Sequence, residues 1–191
     1  MKRPTTVIAA VAVVVVLAIG ITQLGSSSSG GGGGDAPSRS AAQRLLAGSP
    51  PALDALHRDA DRILPGDQLQ TRIAALHGYP LVVNIWGSWC IPCRQEFPVF
   101  QRVAARFGKR VAFLGLDTQD PVEDARKFLA AHPLSYPSYQ DLDGSRAKGF
   151  GIVGTPSTIY YDKAGKQVFL HSGPYRSDAD LVGDIKRYAG A

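Results

Sequence analysis

The stretch from residue 81 to residue 116 limits the possible folds of this chain most strongly. Leu81 to Trp86 is an apolar run interrupted only by Asn84, as expected for a parallel strand that is covered on both faces. Apolar residues at helical spacing follow as far as Gly108, and a second apolar run covers Val111 to Leu116. This order predicts a strand–helix–strand unit with a right-handed crossover, and therefore an α/β domain.

The only two cysteines of the chain lie between the first apolar run and the helix, in the segment WGSWCIPC. The predicted helix N-terminus offers unpaired N–H groups and a favourable dipole to the first sulfur, so Cys90 is predicted to be the nucleophile. Cys93 lies one turn further into the helix on the same side, where it can attack a mixed disulfide formed at Cys90. The pair is therefore interpreted as a thiol–disulfide exchange centre at the carboxyl edge of the sheet.

Three other interpretations of the cysteine pair are weaker. A zinc site needs two further ligands, but the four histidines are scattered singly along the chain. A purely structural disulfide that closes so small a loop would stabilise the fold by roughly 2 kcal/mol at most. A peroxidase-type cysteine would need a hydroxyl residue one turn earlier, where this chain has Gly87. We therefore expect neither a metal nor an organic cofactor.

Two separate motifs resemble those of a known family. The segment WGSWCIPCRQEFP resembles the active-site segment of the thioredoxin superfamily, most closely its membrane-tethered TlpA/ResA/CcmG-like branch. Gly154-Thr155-Pro156-Ser157 resembles the cis-proline loop of the same family. The resemblance spans about Leu64 to Tyr188. It implies a thioredoxin fold: a central mixed β-sheet flanked by helices, with a helix–strand insertion between the βαβ and ββα halves.

The resemblance also implies roles for residues near the sulfurs. Thr155 and Pro156 are expected to pack against the two cysteines, with the Thr155 backbone pairing to an extended substrate segment. An X–Pro bond is the only peptide commonly found in the cis form, and the bond before Pro156 is expected to adopt it. Trp89, next to Cys90, is expected to line the substrate face, whereas Trp86 is expected to pack in the core.

The position of the proton acceptor departs from the thioredoxin pattern. Asn84 stands where thioredoxins carry an aspartate that accepts the proton of the buried thiol. Ile91 stands where some ResA-like proteins carry a glutamate. Glu96, one turn after Cys93, is a candidate for this proton role and could alternatively be an acid on the helix surface.

The N-terminus has the pattern of an export signal. Lys2 and Arg3 precede an uncharged segment that extends from Pro4 to Gly34 and is apolar from Val7 to Ile21. About 20 apolar residues can span a bilayer as a helix, so residues 1–24 are predicted to be an uncleaved signal anchor, with cleavage as the alternative. The two basic residues before the span predict that the bulk of the chain lies outside the cytoplasm.

The rest of the chain is predicted to form a linker and one domain. Residues 25–39, rich in serine and glycine, are predicted to be flexible, and residues 40–191 to form the thioredoxin-like domain. Its lead-in is predicted to be helical from Ser40 to Leu64, with a break at Pro65-Gly66. A second helix is predicted from Asp67, as N-cap, to Leu76.

The second half of the domain is predicted to contain a helix, a short strand and a hairpin. Asp120 is expected to be the N-cap of a helix that ends at His132. A short strand is predicted from Tyr136 to Tyr139. Ser157 to Tyr161 and Gln167 to Ser172 are predicted to pair as a hairpin.

Composition is consistent with a single globular domain plus an N-terminal segment. The chain has 191 residues, of which 45% are hydrophobic and 19% are charged. The net charge of +5 comes from basic residues spread among acidic ones, a pattern that does not predict nucleic-acid binding. We expect a monomer.

These features predict an extracytoplasmic thiol–disulfide oxidoreductase, anchored in the cell membrane by a single span or secreted if the signal is cleaved. Ile91 and Pro92 cannot donate a side-chain hydrogen bond to a thiolate. The reduction potential of the Cys90–Cys93 pair is therefore predicted to lie nearer that of thioredoxin, about −270 mV, than that of a strong oxidant, about −120 mV. This favours a reductase of exported disulfide- or thiol-containing proteins, supplied by a membrane electron-transfer protein. The resemblance suggests cytochrome c maturation, and the alternatives are a disulfide-forming oxidase and a non-catalytic binding module.

Overall fold

The computed structural model describes residues 34–190. The predicted anchor at residues 1–24 and the linker as far as residue 33 lie outside the described residues. Residues 34–38 have no regular structure, and the first helix begins at Arg39 with Ser38 as its N-cap. Within the described residues no helix is long and apolar enough to cross a membrane.

The described chain contains seven α-helices and six strands. The helices are α1 (Arg39–Leu46), α2 (Pro51–Arg58), α3 (Leu69–Ala74), α4 (Ile91–Phe107), α5 (Val122–Ala131), α6 (Ser145–Gly149) and α7 (Asp178–Asp184), which continues as a π-helical turn (Ile185–Ala189). The strands are β1 (Ile63–Leu64), β2 (Leu81–Trp86), β3 (Ala112–Thr118), β4 (Ser138–Asp141), β5 (Ser157–Tyr161) and β6 (Gln167–Ser172).

The six strands form one mixed sheet in the order β1-β4-β3-β2-β5-β6. The first four strands in this order are parallel to their neighbours, whereas β5 is antiparallel to β2 and β6 is antiparallel to β5. The βαβ half is β2-α4-β3, the ββα half is β5-β6-α7, and α5 with β4 is inserted between them. The predicted fold class, including the helix–strand insertion, is confirmed.

The position of helix α4 is set by the residues at its two ends and by its packing on the sheet. Cys90 is the N-cap, Pro92 lies in the first turn where a missing N–H costs little, and the helix ends at Gly108. Its apolar face packs on β2, all of whose residues are buried. The Phe97 ring lies 5.0 Å from that of Trp86 in an edge-to-face contact, which anchors the first turns of the helix. The start of α4 is thereby held at the carboxyl end of β2.

The lead-in to the domain differs from the prediction. The lead-in is helical as predicted as far as Arg58, but it consists of two helices, because Gly48 adopts a φ of 77° and the chain then enters α2 through two prolines. The helical prediction is wrong for its last residues. Ile63 and Leu64 form the edge strand β1, which pairs with β4. The side chain of Asp67 does not cap a helix, since a 3₁₀ turn comes before α3.

The second half of the domain follows the prediction more closely. The hairpin strands have the predicted limits. The strand predicted from Tyr136 to Tyr139 instead begins at Ser138, directly after Pro137, which has no N–H to donate to a sheet. Helix α5 begins at Val122, with Pro121 in the N-cap position, so the predicted capping role of Asp120 is wrong.

Candidate redox site

The two cysteines form a disulfide at the start of α4. Their Cα atoms are 5.2 Å apart, and the Cys90 sulfur accepts a hydrogen bond from the Cys93 backbone N–H at 3.2 Å. Cys90 retains 3% of its exposed surface and Cys93 retains none. A backbone donor at the helix N-terminus therefore faces the Cys90 sulfur, where it would stabilise a thiolate.

The loop that leads into Cys90 is held by several side chains. The Ser88 backbone N–H and hydroxyl both donate to the Asp120 carboxylate, with 2.9 Å between Oγ and Oδ1. Arg94 Nε donates to the Ser88 carbonyl oxygen at 2.6 Å. Sequence reasoning missed this use of Asp120. The signal available was its position just after β3, since neighbouring parallel strands end at the same edge of a sheet.

The two tryptophans of the motif have different environments. Trp86 is fully buried, and its indole N–H donates to Ser138 Oγ at 3.1 Å, which confirms its packing role. Trp89 is 51% exposed and donates to the Thr118 carbonyl oxygen at 3.3 Å. Ile91, between the cysteines, is 70% exposed. An apolar surface therefore adjoins the disulfide.

The Thr155–Pro156 peptide bond is cis, as predicted. The residue after it, Ser157, begins β5 and lies opposite Ile85 of β2. The Ser157 hydroxyl donates to the Gly154 carbonyl oxygen at 2.7 Å, which fixes the loop. The cis-proline loop therefore lies at the same end of β2 as the segment that leads into the cysteines. The pairing of the Thr155 backbone with substrate stays a prediction.

Glu96 is buried in the interior beside β2, so the alternative of a helix-surface acid is wrong. It has no exposed surface. Asn84 Nδ2 donates to its Oε1 at 2.7 Å, and the Tyr175 backbone N–H donates to its Oε2 at 3.1 Å. Burial raises the pKa of Glu96 from 4.5 to about 8, although both hydrogen bonds oppose the rise. Glu96 is thus a carboxyl group that titrates near neutral pH.

Tyr175, which sequence reasoning missed, is itself fixed by a polar cluster. Its hydroxyl donates to Asp184 at 2.6 Å and lies 2.6 Å from the Tyr160 hydroxyl. The His171 ring stacks on the Tyr175 ring, with 4.1 Å between their centroids. These contacts hold the loop after β6 so that the Tyr175 N–H reaches Glu96.

A second buried carboxyl group lies on β3. Asp117 is opposite Trp86 in the sheet register, has no exposed surface, and neither of its carboxyl oxygens has a hydrogen-bond partner among the described residues. Burial, and then the charges of Asp120 and Asp141, raise the pKa of Asp117 to about 9. Asp117 is therefore neutral at pH 7.

The family of the chain follows from comparison with known proteins. The model of the AhpC/TSA family matches residues 60–170, which is more than half of the chain. The chain belongs to the AhpC/TSA family. This member is similar to the thiol:disulfide interchange protein DsbE of Pseudomonas fluorescens biotype C, with 37% identity over 52% of this chain and 54% of that protein. The predicted resemblance to thioredoxin-like oxidoreductases is confirmed.

Two further comparisons extend this similarity. A DsbE homologue of Paracoccus denitrificans is 33% identical over 68% of this AhpC/TSA chain and 74% of its own length. The structure of a secreted Mycobacterium tuberculosis disulfide oxidoreductase, homologous to DsbE of Escherichia coli, superposes with a TM-score of 0.54 and 27% identity, over 60% of this chain and 85% of that one. The chain spans about half the length of several curated relatives, which include proteins named ResA.

Proposed function

We propose that this protein is an extracytoplasmic thiol–disulfide oxidoreductase that works through the Cys90–Cys93 pair. The observation that carries the proposal is a disulfide at the N-terminus of α4, in a chain whose relatives are named thiol:disulfide interchange proteins. The helix N-terminus favours the thiolate at Cys90. We assign the attack on substrate to this sulfur.

The reaction proceeds by two thiol–disulfide exchanges. The Cys90 thiolate attacks the substrate disulfide, so a mixed disulfide forms and one substrate sulfur leaves as thiolate. Cys93 loses its proton and attacks the Cys90 sulfur, which closes the Cys90–Cys93 disulfide and releases the second substrate sulfur. Two electrons pass from the enzyme pair to the substrate, whose two sulfurs take up protons. Trp89 and the Thr155-Pro156 loop form the surface on which the substrate segment binds.

Glu96 is the group we assign to accept the proton of Cys93. It follows Cys93 by three residues on α4, so both side chains lie on the same face of the helix. Burial raises the pKa of Glu96 to about 8, so the carboxylate that can accept a proton forms as the pH rises toward 8. Asn84, at the position of the thioredoxin aspartate, orients this carboxyl group and does not itself titrate.

The direction of electron flow is proposed to be reductive. Ile91 and Pro92 between the cysteines offer the Cys90 thiolate no side-chain hydrogen bond, so the reduced pair lacks the extra stabilisation of a strong oxidant.

We propose that residues 1–24 anchor a monomer in the cell membrane. A membrane electron-transfer protein supplies the electrons, and exported disulfide proteins, including those of cytochrome c maturation, receive them.

Reduction of insulin by dithiothreitol tests the activity. The full chain in mild detergent is expected to accelerate insulin precipitation, and Cys90→Ser is expected to abolish the acceleration. Asp124→Asn, which removes an exposed acid of α5 that pairs with Lys127, serves as the folded control and is expected to retain activity. A full chain that leaves the rate unchanged would favour a non-catalytic binding module instead.

A second experiment tests the direction. The potential is measured by equilibration with glutathione, and the thiol state of Cys90 and Cys93 is measured in native membranes after acid quenching. A potential near −270 mV with mostly reduced cysteines supports the reductase. A potential above roughly −160 mV with mostly disulfide would identify an oxidase.

A further inference from the structure

The contact between Asp120 and Ser88 joins two loops at the redox site. Asp120 follows β3 and is 1% exposed, and α5 has no side-chain capping hydrogen bond. Both donors of Ser88, the backbone N–H and the hydroxyl, point to it. Hydrogen bonds that a carboxylate accepts are charge-assisted and roughly twice as strong as those between neutral groups. Ser88 precedes Cys90 by two residues, so a negative charge lies beside the segment that carries the nucleophile.

The same loop is held from its other side by Arg94. Its Nε donates to the Ser88 carbonyl oxygen, and its guanidinium carbon lies 5.5 Å from the centroid of the Phe128 ring. The Arg94 guanidinium, in the first turn of α4, therefore interacts with both the loop and the face of the Phe128 ring. Ser88 is fixed through its N–H, its hydroxyl and its carbonyl oxygen.

Asp117 lies near Asp120, and the charge of Asp120 contributes to the raised pKa of Asp117. Asp117 is neutral at pH 7 because burial raises its pKa to about 9. Charged groups on the neighbouring elements include Asp141 on β4, which also raises the pKa of Asp117, Arg146 on α6, which faces Asp141, and Arg94 on α4, which donates to Ser88. Asp141 accepts hydrogen bonds from the backbone N–H groups at the start of α6, and one of its oxygens lies 3.9 Å from the Arg146 guanidinium. The charge of Asp141 is therefore directed at α6, whereas that of Asp120 is directed at Ser88.

We propose that Asp120 is a positioning residue of the redox site, which fixes the loop before Cys90 and keeps the Cys90–Cys93 pair reducing through its negative charge. The proposal rests on the proposed oxidoreductase function. A negative charge near the helix N-terminus opposes ionisation of Cys90. The reduced pair is destabilised relative to the disulfide, so the dithiol gives up its electrons more readily.

Equilibration of the full chain with glutathione in mild detergent at pH 7 tests this role. Reduction of the Cys90–Cys93 disulfide takes two electrons and two protons from two glutathione thiols, which become one glutathione disulfide. The Asp120→Asn variant keeps an oxygen that can accept from Ser88 but loses the charge. In Asp120→Asn, the equilibrium constant with glutathione is expected to change about tenfold in favour of the dithiol. This corresponds to a rise of about 30 mV in the reduction potential of the Cys90–Cys93 pair. The pH at which Cys90 alkylation is half-maximal is expected to fall.

Three variants separate charge from position. Asp124→Asn removes an acid on the exposed face of α5, where it pairs with Lys127, and is expected to change the equilibrium by less than twofold. Asp117→Asn replaces a group that is already neutral and is expected to behave in the same way. Ser88→Ala keeps the charge but loses the hydroxyl contact, and is expected to shift the equilibrium by less than threefold.

The proposal would be overturned if the equilibrium constant of Asp120→Asn changed no more than that of Asp124→Asn. A change in favour of the disulfide would also overturn it. If near-ultraviolet circular dichroism shows that Asp120→Asn does not fold, Asp120→Thr is measured against the same expectation, since it also keeps an acceptor and removes the charge. Insulin reduction by the unmodified chain reports separately on the proposed function, because the glutathione equilibrium does not depend on turnover of a protein substrate.

Discussion

Burial of Glu96 has a direct consequence for the pH dependence of stability. The pKa of Glu96 rises from 4.5 to about 8 on folding, so its contribution to stability is fully present below pH 4.5 and is lost as the pH rises toward 8. At about 1.36 kcal/mol for each pKa unit, the total change is limited to about 5 kcal/mol. About 4 kcal/mol of it develops between pH 4 and pH 8. The Glu96→Gln variant removes this titration.

The variant is expected to keep the contacts of the buried site. A glutamine oxygen can accept from the Tyr175 N–H, and its amide N–H can donate to Asn84 Oδ1, a buried atom without a partner among the described residues. We therefore expect Glu96→Gln to be more stable than the unmodified protein at pH 8. The titration of Asp117 occurs in both proteins and cancels in their difference.

The assay is urea unfolding of the oxidised full chain in mild detergent at pH 4, 6 and 8, followed by tryptophan fluorescence. The free energy of unfolding of the variant relative to the unmodified protein is expected to rise by about 4 kcal/mol from pH 4 to pH 8. Asp124→Asn, which removes an exposed acid, is the control and is expected to show no such rise. A difference between Glu96→Gln and the unmodified protein that stays constant with pH would refute the assigned protonation of Glu96.

Three further changes test the site and the core. In the reduced protein Cys90 is expected to be alkylated before Cys93, and Cys93→Ala is expected to trap substrate as a mixed disulfide. If mass spectrometry shows that Cys93 is alkylated faster, the two roles are reversed. Trp89→Ala is expected to raise the KM for a protein disulfide about tenfold, since interface aromatics often contribute more than 1 kcal/mol, while leaving the melting temperature within a few degrees. An unchanged KM would contradict its place on the substrate face. Phe97→Ala is expected to lower the free energy of unfolding by about 3 to 5 kcal/mol in urea titrations, because a fully buried ring leaves a cavity; a loss below about 1 kcal/mol would contradict its place in the core.

Local patterns in the sequence determined most of the fold around the site. The apolar runs from Leu81 to Trp86 and from Val111 to Leu116, with helical spacing between them, predicted the strand–helix–strand unit, because burial on both faces imposes that pattern. The cysteine spacing at the start of the helix predicted the thiol–disulfide site, and the resemblance of Gly154-Thr155-Pro156-Ser157 to a cis-proline loop implied the cis peptide bond. Each of these signals lies in one continuous stretch of the chain.

Only the tertiary structure decided the environment of the carboxyl groups. The sequence left open whether Glu96 is buried or lies on the helix surface, and its buried environment is formed by Asn84 from β2 and by Tyr175 from the loop after β6. The sequence around Asp120 is typical of a helix cap, but the side chain binds Ser88 on another loop. The pKa of a buried carboxyl group depends on its desolvation and on partners that lie far apart in the chain. Local periodicity and spacing therefore do not predict it, because the sheet brings these elements together only in the folded protein.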